Sequence, residues 1–427
     1  MMVPDKPLLW KSSAILLGVA LPLALVGKGL VAAALLLGLI AGLMATHGES
    51  LRATIRLVYE SRFTLLVSAF LMALAVGVAW GINPPNSADK WLQMAGLALG
   101  AGLLFVVLRE MPGRYVELLL DALLLALLIL GVVAAVDALT GNVYLASALH
   151  GADKATTPYR LNAMSSLLAV LAPLAWARLL VLAREHDRLT PRMALVSAVF
   201  LFVVLIVAGG RAGWVGGVLA LAVFAALAAR YHGLNIHRRH YGGFVLVVLG
   251  ALAVYALAFG WEFMWQRASI IGEANVGRGM MSGRLDVWMK ALQHIPDMPL
   301  FGIGLMNYRY LPNAIDLHPH NWLLQMLLEA GVVGTALFLA ILMLIFQTFW
   351  AFARGNIYAA AAFAGLVGFV ISGLANTSIF RWDWLVMMIF VVALGYRAGW
   401  SGEGQKKRRK NKLVQRDVLA PPRLRKP

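Results

Sequence analysis

Apolar runs recur along the chain from Leu8 to Gly399, each long enough to matter and each closed by a short polar connection. A helix rises about 1.5 Å per residue, so crossing the hydrocarbon core takes about 20 mostly apolar residues. On that criterion the pattern predicts twelve membrane helices, approximately Leu8–Gly27, Leu30–Ala45, Thr64–Gly81, Trp91–Leu108, Val116–Leu139, Asn162–Leu182, Met193–Ala208, Gly213–Ala229, Gly243–Trp261, Trp322–Phe349, Ile357–Leu374 and Trp384–Gly399. The first two are separated only by Lys28 and Gly29. No strand-like alternation competes with these runs, so the expected fold is an all-α polytopic membrane protein. The apolar pattern continues far beyond the first run, so Ile15–Gly27 reads as a retained span and not as a cleaved signal.

Charge orients the predicted helices. Connections on one side hold 26 of the 37 Lys and Arg residues, including eleven from Arg397 to Lys426; the other side holds eleven, although it includes the longest loop. Basic residues accumulate in cytoplasmic connections, which puts both termini inside and the long loop outside. The net charge of +17 is accounted for by topology and anionic headgroups, so nucleic acid is not an expected partner. The tail KKRRKNKLVQRDVLAPPRLRKP has too few apolar residues to fold and is expected to lie against anionic lipids. The absence of cysteine excludes thiolate metal sites and cysteine nucleophiles. Four regions follow: spans one to nine over residues 1–261, an outward loop over 262–319, spans ten to twelve over 320–400, and a basic tail over 401–427.

Candidate chemistry concentrates in that outward loop. In SGRLDVWMKALQHI, Ser282 is placed to cap a helix whose Leu285, Trp288, Leu292 and Ile295 recur at helical spacing. The following PDMPLFGIGLMNYRYLPN is broken by Pro296, Pro299, Gly302, Gly304 and Pro312, and is predicted to be irregular backbone lining a wet cavity. Next comes HPHNWLLQMLLEAG. His318 reads as a helix cap, Pro319 as the first helical residue, and His320 as a first-turn imidazole kept neutral by the helix dipole, ready to accept a proton. Asn321, Gln325 and Glu329 make a polar stripe, read as hydrogen-bonded packing for the first two; Glu329 needs a partner or a role, because a carboxylate within a span is costly. Gly331 and Gly334 read as close-packing positions.

No metal site is expected. Two histidines lack a third ligand at workable spacing, no Asp-x-Asp is present, and Glu185-His186-Asp187 sits between Arg184 and Arg188 as a solvated charge cluster on the opposite side. Three outward arginines, Arg160 in TTPYRLNAM, Arg211 in GGRAGWVGG and Arg284, run against the charge bias. They are read either as guanidinium donors to a phosphate or diphosphate or as side chains snorkelling to, or pairing with, Asp286, Asp316 or Glu273.

These residues resemble the bacterial O-antigen ligases and their relatives, the O-antigen polymerases and pilin-type O-oligosaccharyltransferases. That family's signature, His, then Asn, Ser or Gln, nine residues, Gly, two residues and Gly, Thr or Tyr, is met by His320, Asn321, Gly331 and Gly334. The stretch RLDVWMKALQHIPDMPLFGIGLMNY is similar to what the family carries upstream. The resemblance implies a GT-C-type glycosyltransferase of the bacterial inner membrane with a periplasmic active site and no cofactor. It would move polysaccharide from undecaprenyl diphosphate to a sugar hydroxyl of lipid A-core. His320, Arg211 and Arg284 then correspond to the catalytic residues; Arg160, by its own position on the outward side, and His318, Asn321 and Tyr308 are the expected substrate contacts. The alternatives are a polymerase or protein O-oligosaccharyltransferase, and, in another class, a transporter or flippase for a lipid-linked sugar. The polymerase pattern of arginine, ten residues, glycine is absent after all three arginines.

Overall fold

The computed structural model describes residues 6–140, 159–184, 190–208, 210–234, 249–250, 253, 284–314, 316–375 and 378–399. Among them the regular secondary structure is helical: α1 (Pro7–Ala20), α2 (Lys28–Ala45), α3 (Gly48–Tyr59), α4 (Arg62–Trp80), α5 (Pro84–Glu110), α6 (Gly113–Thr140), α7 (Tyr159–Arg184), α8 (Pro191–Val207), α9 (Arg211–Tyr231), α10 (Arg284–His294), α11 (Trp322–Glu329), α12 (Gly331–Ala353) and α13 (Ile357–Gly373), and a last helix α14 (Trp382–Gly399). Eight of these are long and apolar enough to cross a membrane, and Pro7–Ala20, Pro191–Ile206 and Ile357–Gly373 are shorter apolar helices. The chain is a multi-pass membrane protein with eight such spans among the described residues, against the twelve expected. The ninth expected span, Gly243–Trp261, the loop before residue 284 with Ser282, and the basic tail all lie outside the described residues.

Helices α7, α9 and α13 form the centre, brought together by glycines that allow backbone to touch backbone. A Cβ at Gly365 would meet the Val170 carbonyl at 2.4 Å, and one at Gly368 the Ala169 carbonyl at 2.1 Å. On α9, Gly213 faces Ser165 and Gly216 faces Ser372 and Gly368. Helices α1 and α2 form an antiparallel hairpin in which the Ser13 hydroxyl donates to the Gly38 carbonyl and Lys6 reaches the Met44 carbonyl. Lys28 and Gly29, expected to separate the first two helices, instead open α2, and the connection between α1 and α2 is residues 21–27.

The two ends of the bundle sort the basic residues as the charge bias predicts, with one correction. At one end Lys28 pairs with Asp383 and so does Arg381. At the other, Arg184 donates to the His232 carbonyl and Arg397 to the Met111 carbonyl. Arg178, counted among the 26 basic residues of the cytoplasmic side although it falls near the end of the expected span Asn162–Leu182, lies inside the bundle at 1% exposure. It holds Asp121 bidentately, Nε to Oδ1 at 2.6 Å and Nη2 to Oδ2 at 3.0 Å, and Nη1 reaches the Tyr358 hydroxyl at 3.3 Å. A buried guanidinium is tolerable only with its donors taken. The pair ties α6, α7 and α13 together.

The expected tenth span, Trp322–Phe349, is two helices broken at Ala330–Gly331. Gly331 adopts φ 66°, and its missing Cβ leaves room for the Leu300 carbonyl, 2.3 Å from where that atom would be. It is therefore a hinge in left-handed backbone and not a helix-packing glycine, which corrects the small-residue reading. Gly331→Ala should cost at least about 2 kcal/mol, from the left-handed conformation and the collision together. Gly100, in open space within α5, should tolerate Ala with no loss or a gain of about 0.5 kcal/mol. Thermal unfolding of the two detergent-solubilised variants checks the contrast, and equal behaviour would refute it.

Candidate active site

The segment after α10 folds into the break between α11 and α12. A helix end leaves carbonyls unpaired and a helix start leaves N–H groups unpaired, and the irregular backbone supplies both kinds of partner. Ile303 and Gly304 donate to the Leu328 and Glu329 carbonyls, while Val332 and Val333 donate to the Pro299 and Leu300 carbonyls. The glycines at 302 and 304 have φ 72° and 91°, and a Cβ on Gly302 would strike the Glu329 backbone.

Glu329, at 1% exposure, is the internal anchor of this turn. Its carboxylate accepts from the Met306 N–H at 2.8 Å, the Tyr308 N–H at 3.1 Å and the Gln325 amide at 2.9 Å. Its partners are backbone and amide donors; no arginine bonds to it among the described residues. The Gln325 oxygen in turn accepts from the Ile379 N–H. Asn307 joins the same loop to α5, accepting from Asn86 at 3.1 Å and donating to the Ser87 hydroxyl at 3.0 Å. The polar stripe on α11 is thus structural, as read for Asn321 and Gln325, and Glu329 belongs with them.

Helix α11 begins later than expected. Its cap is Asn321, whose side-chain oxygen accepts from the Leu323 and Leu324 N–H groups. His318 is not the cap, Pro319 is not the first helical residue, and His320 stands outside the helix in left-handed backbone, φ 55°. A side-chain amide satisfies the helix start better than an imidazole, so the dipole argument for His320 lapses. In its place the structure pairs His320 Nε2 with Asp316 Oδ2 at 2.9 Å. The two imidazoles stack with centroids 4.1 Å apart, and His318 Nδ1 accepts from the His320 N–H at 3.2 Å. That bond needs an unprotonated nitrogen. His318 is 9% exposed, and burial, with the charges of His320, Arg381 and Arg309 added, pushes its pKa down to about 3. Burial would raise the Asp316 carboxyl, but the Leu317 N–H and the neighbouring histidines hold it below its usual value. Asp316 is the residue sequence reasoning missed as a site candidate; its spacing of four from His320 was the available signal.

The remaining candidates fall as follows. Trp288 donates to the Pro319 carbonyl at 2.9 Å, fastening α10 beside the histidines. Arg284 opens α10 with its pKa lowered by burial and partly restored by Asp316. The buried face of α10 is Val287 and Ala291, whereas Leu285 and Leu292, expected to lead the apolar face, are 52% and 46% exposed. Arg211 begins α9 and is half-buried. Arg160 lies in the first turn of α7. Both belong to the histidine end of the bundle, because Gly216 meets Ser372 while Trp322 meets Gly373 and donates to the Val370 carbonyl. Tyr308 is fully buried, packed with Val287, Ile303 and Leu311, and its hydroxyl donates to the Val287 carbonyl at 3.4 Å. It is a core residue, so the expectation that it contacts substrate is withdrawn. No cluster of three or more His, Asp or Glu suited to a metal occurs among the described residues.

Residues 196–339 match the family model described as O-antigen ligase, a stretch that includes Arg211, Arg284, Asp316, His318 and His320 and stops short of Arg160. Proteins of Rickettsia conorii, Rickettsia typhi and Rickettsia prowazekii, named as candidate polysaccharide ligases, are each 26% identical over 125 residues, 26% of this chain. The chain spans only 30–31% of the length of these relatives.

The His318 environment makes a pH prediction. The unfolded chain protonates this imidazole below its usual value near 6.5, whereas the folded protein does not until about pH 3. The unfolded state therefore binds the extra proton in that window, and stability falls as pH drops through it, by about 1 kcal/mol between pH 7 and about pH 5.5. His318→Asn should flatten this slope. Unfolding temperatures measured across that range check it, and a slope unchanged in the variant would contradict the assignment.

Proposed function

We propose that this protein transfers a polysaccharide from undecaprenyl diphosphate to a sugar hydroxyl of lipid A-core, on the periplasmic face of the inner membrane. The match of residues 196–339 to the O-antigen ligase family supports the reaction class. The single observation that supports a catalytic reading is the His320–Asp316 pair, 2.9 Å apart, at the end of the bundle that also carries residues 160, 211 and 284.

In this reading the acceptor hydroxyl loses its proton to the His320 imidazole as its oxygen bonds to the anomeric carbon. The bond from that carbon to the diphosphate oxygen breaks, and the electron pair leaves with undecaprenyl diphosphate. Asp316 is a positioning residue that orients the imidazole and stabilises its positive charge. Arg211, Arg284 and Arg160 meet the charge that develops on the leaving diphosphate, and fixed donors at a partly dehydrated site are more effective than water at this task. His318 and Asn321 hold the backbone around His320; Asn321 does so by capping α11.

Full-length protein in lipid nanodiscs, supplied with lipid-linked glycan and lipid A-core, a pilin peptide or no acceptor, tests the proposal. Glycosylated lipid A-core and undecaprenyl diphosphate should appear together, in EDTA as well as without it. His320→Ala should slow transfer by at least about a hundredfold. Arg211→Ala and Arg284→Ala should each cost about a hundredfold, and Asp316→Asn about tenfold or more. A glycan that changes leaflet without losing its diphosphate would favour a transporter, and glycosylation of the peptide alone a protein-modifying enzyme.

A further inference from the structure

The basic residues at the histidine end differ in whether the fold gives them an anion. Lys28 and Arg381 share Asp383, Lys90 has Asp89 at 3.7 Å, and His320 has Asp316. Arg309 has no such partner. It sits in the single turn Tyr308–Tyr310, and its guanidinium makes no hydrogen bond or ion pair among the described residues. Its Nε is buried with no acceptor among the described residues, and its guanidinium carbon lies 5.9 Å from the centroid of the Tyr310 ring. Glu329, which feels the Arg309 charge, is already engaged by three N–H donors, and Asp316 is held by His320 and the Leu317 N–H.

The position is also built. Tyr308 N–H is held by Glu329, Tyr310 N–H by the Asn307 carbonyl and Leu311 N–H by the Tyr308 carbonyl, so the backbone carrying Arg309 is fixed on both sides. A half-buried cation with an unfilled donor costs free energy unless an anion arrives to pair with it. Arg284 likewise makes no ion pair or hydrogen bond among the described residues, and Asp316 acts electrostatically on it. The Arg309 charge reaches the segment from Asp316 to His320, since it is among the causes that depress His318.

We propose that Arg309 is a further binding residue, holding a phosphoryl group of a lipid-linked substrate through its guanidinium fork, on the same side as Arg284. The chemistry is that of a phosphate or diphosphate, and it comes either from the undecaprenyl diphosphate donor or from a phosphate on the lipid A-core acceptor. The inference rests on the function proposed above.

Equilibrium binding to full-length protein in nanodiscs decides it. The probes are undecaprenyl diphosphate, lipid A-core and enzymatically dephosphorylated lipid A-core, and the variants are Arg309→Gln and Arg309→Lys. For whichever phosphorylated probe Arg309 serves, the Gln variant should bind about tenfold or more weakly, and the Lys variant, which keeps the charge and loses the fork, about fivefold. Binding of the dephosphorylated probe should not change. Loss confined to undecaprenyl diphosphate assigns Arg309 to the donor; loss confined to phosphorylated lipid A-core assigns it to the acceptor. Equal losses for phosphorylated and dephosphorylated probes would mark a structural role and overturn the proposal. Wild-type affinities in a folded Arg309→Gln variant overturn it while leaving the ligase reading intact. Should that variant fail to fold, wild-type affinity in Arg309→Lys overturns it. Failure of the wild type to bind either phosphorylated probe removes both inferences.

Discussion

The structure around the histidines depends on one exchange of backbone hydrogen bonds, made where the chain leaves its helix between Glu329 and Gly331. The C-terminal carbonyls of α11 and the N-terminal N–H groups of α12 would each be left without partners beside an apolar bundle, at a cost no short helix could bear. Residues 299–304 supply both sets of partners, which is possible only because Gly302, Gly304 and Gly331 take backbone conformations and contacts that a Cβ would forbid. Glu329 then gathers Met306 and Tyr308 from within. A carboxylate that looks chemical in sequence is in fact the internal fastening of a loop.

With that loop fixed, the placement of chemistry follows. Asn307 attaches it to α5, Trp288 attaches α10 to Pro319, and Asn321 starts α11. His318 is driven inside and kept neutral. His320 remains nearer the surface with Asp316. The same turn that buries Tyr308 leaves Arg309 half-buried on the next residue, so one short segment supplies both a core side chain and a cation with no ion pair among the described residues. Positive charge therefore collects at this end of the bundle while Asp316, Glu329 and Asp383 are already engaged, an arrangement suited to an anionic lipid-linked ligand.

Legibility in the sequence followed the type of interaction. That the chain crosses a membrane several times was legible, because twenty apolar residues admit few other fates in a lipid-facing chain; of the twelve expected spans, eight are long and apolar enough among the described residues. The separation of basic residues between two ends was legible for the same reason, yet Arg178 was misplaced: a single arginine inside an apolar run looks like a span boundary until Asp121 and Tyr358, 57 and 180 residues away, are seen beside it. The cap of α11 was assigned three residues too early, because His-Pro imitates a helix start while Asn321 makes the actual bonds. The family-like spacing from His320 to Gly334 was legible, but the reason for Gly331 was not, since its constraint comes from the Leu300 carbonyl.

The sequence by itself determined that this is an all-helical, multi-pass membrane protein whose polar chemistry gathers in one interval before residue 322. Those properties arise from hydrophobic periodicity, charge bias and local motif, all of which act over a few turns of chain. Only the tertiary structure decided that Asp316 partners His320, that Glu329 and Tyr308 are structural, that α10 buries Val287 and Ala291, and that Arg309 has no ion pair among the described residues. Each of these depends on which distant donor or acceptor reaches a side chain first, and that competition is settled by packing.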